Sequence, residues 1–341
     1  MHGTAWRLVL AALFVCSLAP PNTIRSYAAE TWPQRPVKFI LPLGPGSGVD
    51  IGARLFADRL SASWSQPVIV ENKPGGDGFL AITSFVAAHD DHVFLCTPTS
   101  VFTAHPYLHD NLPYKPNDLL PIARTTNTVI VIAVPTSLQI GSLADLVALA
   151  RAQPGKINWA GVTGALDFLF EGFLKHQGLS MPKVPYRNLV EAATDLAEGR
   201  VQVYSTGLAI VQPFLQSGKV KLLAVTNSER ASITPDIPTV REAGFPELTI
   251  DGLIGFFASP GLSIELRQRI ATDIRAVADE TIAKRLAATG QILNVAGPTE
   301  FAASIEQQRA KLAAIAPRSR HEPETITRDD LRRFWSELRW H

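Results

Sequence analysis

The chain has little cysteine, no excess of either charge and, past its first residues, no long apolar run. Only two cysteines occur in 341 residues. Cys16 falls in an N-terminal segment that reads as a leader, which leaves Cys96 alone in the mature chain and rules out an intramolecular disulfide. Stability must then come from a packed core, for which a hydrophobic content of 46% is ample. Cys96 sits in the apolar run VFLC, where a buried structural thiol is expected rather than a nucleophile. The formal charge of +1 and the lack of a basic run interleaved with aromatics before the tail give no reason to expect nucleic acid or a membrane surface as a partner.

Catalytic and cofactor signatures are missing as well. No G-K-[ST] follows the first glycine loop, and G-P-G-S-G lacks the spacing of a dinucleotide fingerprint. Glu71, at the end of PVIVEN, is a weak candidate for the acidic residue such a fingerprint needs. Ser47 is not in a G-x-S-x-G elbow. The eight histidines form no metal-ligand pair of the H-E-x-x-H kind. His105 and His109 lie in HPYLHDNLPY, whose prolines predict a surface loop. We therefore expect no enzyme activity, no metal and no cofactor.

What is present begins at the N-terminus. Arg7 precedes LVLAALFVCSLA, and SYAAE then offers small residues at a cleavage position. Residues 1–29 read as a signal peptide, with Ala28 or Ala29 the last residue removed; a membrane anchor is the alternative. Lipidation at Cys16 is disfavoured by Phe14 and Val15 before it.

The length suits two domains. VKFIL, PVIVEN and HVFLCT predict short strands, each followed by a loop and a helical pattern. Apolar residues Ile51, Leu55, Phe56 and Leu60 recur at helical spacing after the first glycine loop. After a connection rich in proline and polar residues, the rhythm repeats from VIVIAV through KLLAVTN, with Ser142 as a helix N-cap. LIGFFAS is one more strand, and two long helices close the pattern, expected to pack back on the first unit. Alternating strands and helices of this kind define an α/β protein with parallel sheets.

Three strand-to-helix loops, 44–48, 75–78 and 160–165, are rich in glycine. Ligands of open α/β sheets bind beyond the carboxyl ends of the strands, where helix N-termini present free N–H groups. Loops of this composition from both domains would converge on an anion; the alternative is that they are only tight turns. Asp50 either caps the helix after the first loop or contacts the ligand.

These residues resemble the substrate-binding receptors of tripartite tricarboxylate transporters, the Bug family. WPQRPVKFILPLGPGSGVDIGARLFADRL is similar to the family's opening, in which a strand leads to P-x-x-P-G-G-G-x-D and an Ala-Arg pair. VIVENKPGGDG resembles V-V-E-N-[RK]-P-G-A-G-G. LPYKPNDLLPIA, ALARAQPGKINWA, KVPYRN, AVTNSERASITPDIPTVREAGFPEL and GFFASPGLS follow in family order, so the likeness spans about residues 31–316.

The resemblance implies a periplasmic binding protein fold, two doubly wound α/β domains joined by two crossover strands with a ligand cleft between them. We expect domain 1 over 30–131 and 255–316, domain 2 over 132–254, and a C-terminal extension over 317–341. It implies an organic carboxylate held by loop backbone and water, delivered to the membrane permease subunits of such a transporter by a monomeric receptor; a periplasmic sensor serving a membrane kinase is the alternative. Carried onto this chain, the ligand residues are Ser47, Gly48, Val49 and Asp50; Gly76, Asp77 and Gly78; Thr99 and Ser100; Thr163, Gly164 and Ala165; and Ser205. The chain departs from the pattern at Ser47 within the triple glycine, at Val49 for the usual threonine, at Phe168 for a common histidine and at Ser205 for a common aspartate. In the tail, Leu331, Phe334, Trp335 and Leu338 would share one side of a short amphipathic helix, which docks on its own domain or on a partner.

Overall fold

In the computed structural model, which describes residues 32–161, 165–186 and 188–315, the short apolar runs become strands. The leader, its cleavage position, the tail, Thr163 and Gly164 lie outside the described residues. Two units can be distinguished, Met1–Gln34 and Arg35–His341; only residues 32–34 of the first are described, and the second carries both sheets.

The second unit opens with β1 (Val37–Leu41), α1 (Gly48–Trp64), β2 (Val68–Asn72), α2 (Phe79–Ala88) and β3 (Val93–Pro98). Two single turns, α3 (Ser100–Thr103) and α4 (His105–Leu108), lead to β4 (Leu120–Thr128). The middle of the chain holds β5 (Ile130–Pro135), α5 (Leu143–Ala152), β6 (Trp159–Gly161), α6 (Ala165–Gln177), α7 (Leu189–Ala197), β7 (Val203–Gly207), α8 (Leu208–Gln216) and β8 (Val220–Val225). It ends with β9 (Gly252–Ala258), α9 (Ile264–Val277), α10 (Glu280–Ala287), β10 (Gln291–Ala296) and α11 (Pro298–Ile315).

A six-stranded sheet has the order β10-β4-β9-β3-β1-β2, and a four-stranded one β6-β7-β5-β8. The chain therefore leaves the first sheet at Thr128–Ile130 and regains it between Val225 and Gly252. Neither sheet is wholly parallel, contrary to the expectation from the sequence. β2, β1 and β3 are parallel, but β9, returning from the second sheet, inserts antiparallel between β3 and β4. β5 likewise runs antiparallel to both β7 and β8.

Both faces of the second sheet are covered. Along β5, Ile130, Ile132 and Val134 enter one apolar cluster, while the alternate Val131 and Ala133 enter another. Period-two alternation with both faces buried explains why IVIAVP carries no polar residue. Side-chain caps start several helices: Ser142 accepts from the Asp145 N–H, Ser263 from Leu266 and Asp279 from Ile282. α9 packs against α1 and β4, and α11 against β4 and α3, so the C-terminal helices cover the first sheet.

Two strands were hidden in the sequence. β4 occupies the stretch expected to be a polar connection, and β10 pairs with it. Their polar side chains satisfy one another: Arg124 donates to the Asn294 carbonyl and side chain, and Thr126 Oγ1 donates to Gln291 Oε1 at 2.6 Å. No helix among the described residues is long and apolar enough to cross a membrane.

Candidate ligand-binding site

The first glycine loop joins β1 to α1. Ser47 is the N-cap, its Oγ accepting from the Asp50 N–H at 3.2 Å. Asp50 is buried, and its carboxylate accepts from the Gly46 N–H at 2.9 Å, Arg54 Nε at 3.0 Å and Asn72 Nδ2 at 2.9 Å. Burial alone would raise its pKa, but the bonds from Arg54, Gly46 and Asn72 outweigh it and hold the group below the usual carboxylate range. Asp50 therefore braces the loop: it draws Gly46 into a left-handed φ of 82°, which glycine adopts freely. Gly48 is bare for a packing reason. A Cβ there would overlap Gln291 Nε2, whose side chain is itself buried. With Ser47 and Asp50 committed, the amides of Gly48 and Val49 remain without a partner among the described residues, as the first turn of a helix leaves them.

The second loop is one turn of 3-10 helix, Gly76–Gly78, with Gly75, Gly76, Asp77 and Gly78 all at positive φ. A side chain at Gly78 would press on Pro42 at 3.2 Å, so this loop lies against the first. Asp77 Oδ2 accepts from His109 Nε2 at 2.9 Å and lies 3.6 Å from His105 Nε2. Prolines had suggested a surface loop for these histidines. Instead His105 opens α4 and is buried, its Nδ1 bonded to Tyr114 Oη at 2.9 Å. The tyrosine donates in turn to the Val101 carbonyl at 2.6 Å, so His105 Nδ1 carries a proton. Burial lowers the His105 pKa, more than the nearby Asp77 raises it. At the third loop, Thr99 is buried and donates through Oγ1 to Gln308 Oε1 at 2.8 Å, while Ser100 begins α3.

In the second lobe, Ala165 starts α6 just after β6. Ser205 is buried in β7, opposite Gly161 on one side and Ile132 on the other. Phe168 is buried with Ala104 and Leu312, its ring 6.3 Å from that of Tyr107. The ring is thus an apolar contact between segments of the two lobes and offers no polar group. Sequence reasoning missed Asp167, in the first turn of α6. Its Oδ2 accepts from Lys183 Nζ at 2.7 Å, and its buried Oδ1 has no partner among the described residues. Burial raises its pKa despite Lys183. An acid near a helix N-terminus after a glycine was the available signal.

A cavity of about 500 Å³ lies elsewhere, between α11, the β10-β4-β9 edge of the first sheet and the segment joining β8 to β9. None of the ligand residues expected from the sequence lines it. The only trio of potential metal ligands among the described residues is Asp90, Asp91 and His92, and Arg35 already pairs with both carboxylates.

Two α/β lobes crossed twice by the chain, with helix-opening glycine loops at the strand ends, define a two-lobed solute-binding protein. Comparison with known proteins makes the assignment specific. The model of the tripartite tricarboxylate transporter family receptor matches residues 52–318, and the chain belongs to that family. A UPF0065 protein of Bordetella bronchiseptica is 29% identical over 92% of this chain and 93% of its own. The protein BugT of Bordetella pertussis is 26% identical over 90% of this chain and 96% of its own. An R. palustris protein solved with adipate superposes with a TM-score of 0.73 at 27% identity, over 84% of this chain and 99% of that one. The protein is thus a periplasmic solute-binding receptor and not an enzyme.

Proposed function

We propose that the receptor captures a small organic carboxylate in the cleft between its lobes and delivers it to the membrane permease subunits of a tripartite tricarboxylate-type transporter. The expected lobe boundaries at 131–132 and 254–255 fall inside β5 and β9, so the crossings that serve as the hinge lie at Thr128–Ile130 and between Val225 and Gly252. The observation that carries the reading is the state of the first loop. Its acidic and hydroxyl side chains are spent on the loop itself, and the amides of Gly48 and Val49 at the positive end of a 17-residue helix are left for an anion. The second loop lies against the first through Gly78, Ser100 and Ala165 open the helices that follow β3 and β6, and Ser205 lies in the middle of β7. Thr163 and Gly164, which lie outside the described residues, complete the ligand set carried over from the family pattern. Side chains of Asp77 and Thr99, already bonded to His109 and Gln308, act by shaping the loops. The adipate complex of the R. palustris relative supports a carboxylate as ligand class.

A thermal-shift screen of organic acids tests this, followed by calorimetry on each hit. A dicarboxylate should raise Tm and bind saturably, and its dimethyl ester should do neither. A screen in which neutral solutes stabilise the protein and acids do not would sink the proposal. Crosslinking to the permease subunits in ligand-replete membranes tests delivery; no crosslink with bound ligand would remove the transport partner.

A further inference from the structure

The cavity beside the crossovers is built like a binding site. Its floor is set by strand alternation. Thr126 points one way, to Gln291, and the next residue, Asn127, faces the cavity with its sheet neighbours Leu253 and Ile292. Asn127 is only 8% exposed, yet its Oδ1 has no hydrogen-bond partner. Thr249 Oγ1, in another lining residue, is also buried without a partner among the described residues. Two such atoms in one cavity are unusual, because a buried polar atom without a bond destabilises the fold.

The charges around them are unequal. Arg124 and Arg230 are held by Glu300 and Glu242, and Asp251 is spent on Ser228 and Asn227. Lys311 reaches in from α11 and donates to the Thr249 carbonyl, with no carboxylate paired to it among the described residues. Arg241 likewise lines the cavity with no ion-pair partner there. The acid left over is Glu229, on the exposed rim. Two cations without carboxylate partners therefore stand beside two unsatisfied polar groups, in a space of ligand size.

We propose that this cavity is a second ligand site, separate from the lobe cleft, for a small anion bearing carboxylates. Lys311 and Arg241 take the charge, the Asn127 amide and Thr249 hydroxyl take the remaining polar groups, and Asp251 stays with Ser228. The site lies on the connections between the two sheets, and two of its lining residues reach the expected ligand loops: Leu253, whose carbonyl accepts from the Thr99 N–H at 3.0 Å, and Gln308. That side chain accepts from Thr99 and donates to the Asp251 carbonyl at 2.6 Å.

The test is a titration of the full mature protein, labelled with ¹⁵N, with citrate as the probe. The Asn127 side-chain amide and the Ser228 backbone amide should shift saturably. Arg241→Gln, at an exposed position, should weaken that binding by at least about threefold, and Arg241→Gln with Lys311→Gln by about tenfold or more. Tm without citrate should stay unchanged in Arg241→Gln, and triethyl citrate should cause no shift. Absence of a saturable change at Asn127 up to about 10 mM citrate, or equal affinity in the wild type and the double variant, would overturn the proposal. Shifts confined to Gly48 and Val49 would also overturn it while leaving the cleft reading intact.

Discussion

Replacing Asp50 with asparagine separates bracing of the first loop from contact with a ligand. The buried carboxylate accepts from Gly46, Arg54 and Asn72. Asparagine keeps one acceptor oxygen and places an NH₂ where the second stood, so at least one of those donors faces another donor. Losing one bond to a charged acceptor costs about 1.5–3 kcal/mol. Arg54 is half exposed and is resolvated by water, which places the loss near the lower end, at about 2 kcal/mol. That corresponds to a fall in Tm of about 3 °C for a chain of this length. The sign with pH follows from the depressed pKa. The stabilisation is complete above the unfolded value of about 4 and disappears as pH falls through the lower folded value. Scanning calorimetry should therefore show the full gap between wild type and Asp50→Asn at neutral pH, closing as the pH drops below about 4. An unchanged Tm at neutral pH together with lost acid binding would refute the brace and make Asp50 a ligand contact.

Other perturbations test neighbouring parts of the account. Gly48→Ala should destabilise by about 1–3 kcal/mol through overlap with Gln291, and adding Gln291→Ala should recover much of it; strict additivity of the two changes in urea melts would show that they do not touch. Cys96 is buried and burial raises its pKa, so a thiol reagent should label it only as fast as the protein unfolds; rapid native labelling would contradict that packing. Asp167→Asn should leave Tm unchanged or raise it at neutral pH, because burial disfavours its charge; a loss above about 1 kcal/mol would mean that the Lys183 pair outweighs desolvation. The mature N-terminus, read by mass spectrometry of periplasmic protein, should begin at Ala29 or Glu30, and an intact Met1 would contradict the leader.

Much of the fold was legible because it rests on local patterns. VKFIL, VFLCTP and IVIAVP announce buried strands by their mainly apolar content, and Ser142 announces a helix start by its place before an apolar period, whereas the cap of α1 is Ser47 and not Asp50 as the sequence suggested. β4 was not legible, since Arg124, Thr126 and Asn127 make it read as a connection. Their partners, Asn294 and Gln291, lie more than a hundred residues away in another strand, where they are the two polar residues that interrupt its apolar pattern. Buried His105 was misread for a similar reason, because its stabilising bond to Tyr114 cannot be seen in HPYLHDNLPY. The sequence shows that the loop is bare, but part of its bareness answers to Gln291, a packing constraint set 243 positions along the chain. The cavity at the crossovers has no local signature, since its residues come from segments between Arg124 and Lys311.

A crystal structure of the protein with the acid that stabilises it most tests the central claim most directly. A carboxylate of that acid should lie within hydrogen-bonding distance of the Gly48 and Val49 amides. The same acid found in the crossover cavity alone, with the first loop empty, would contradict it.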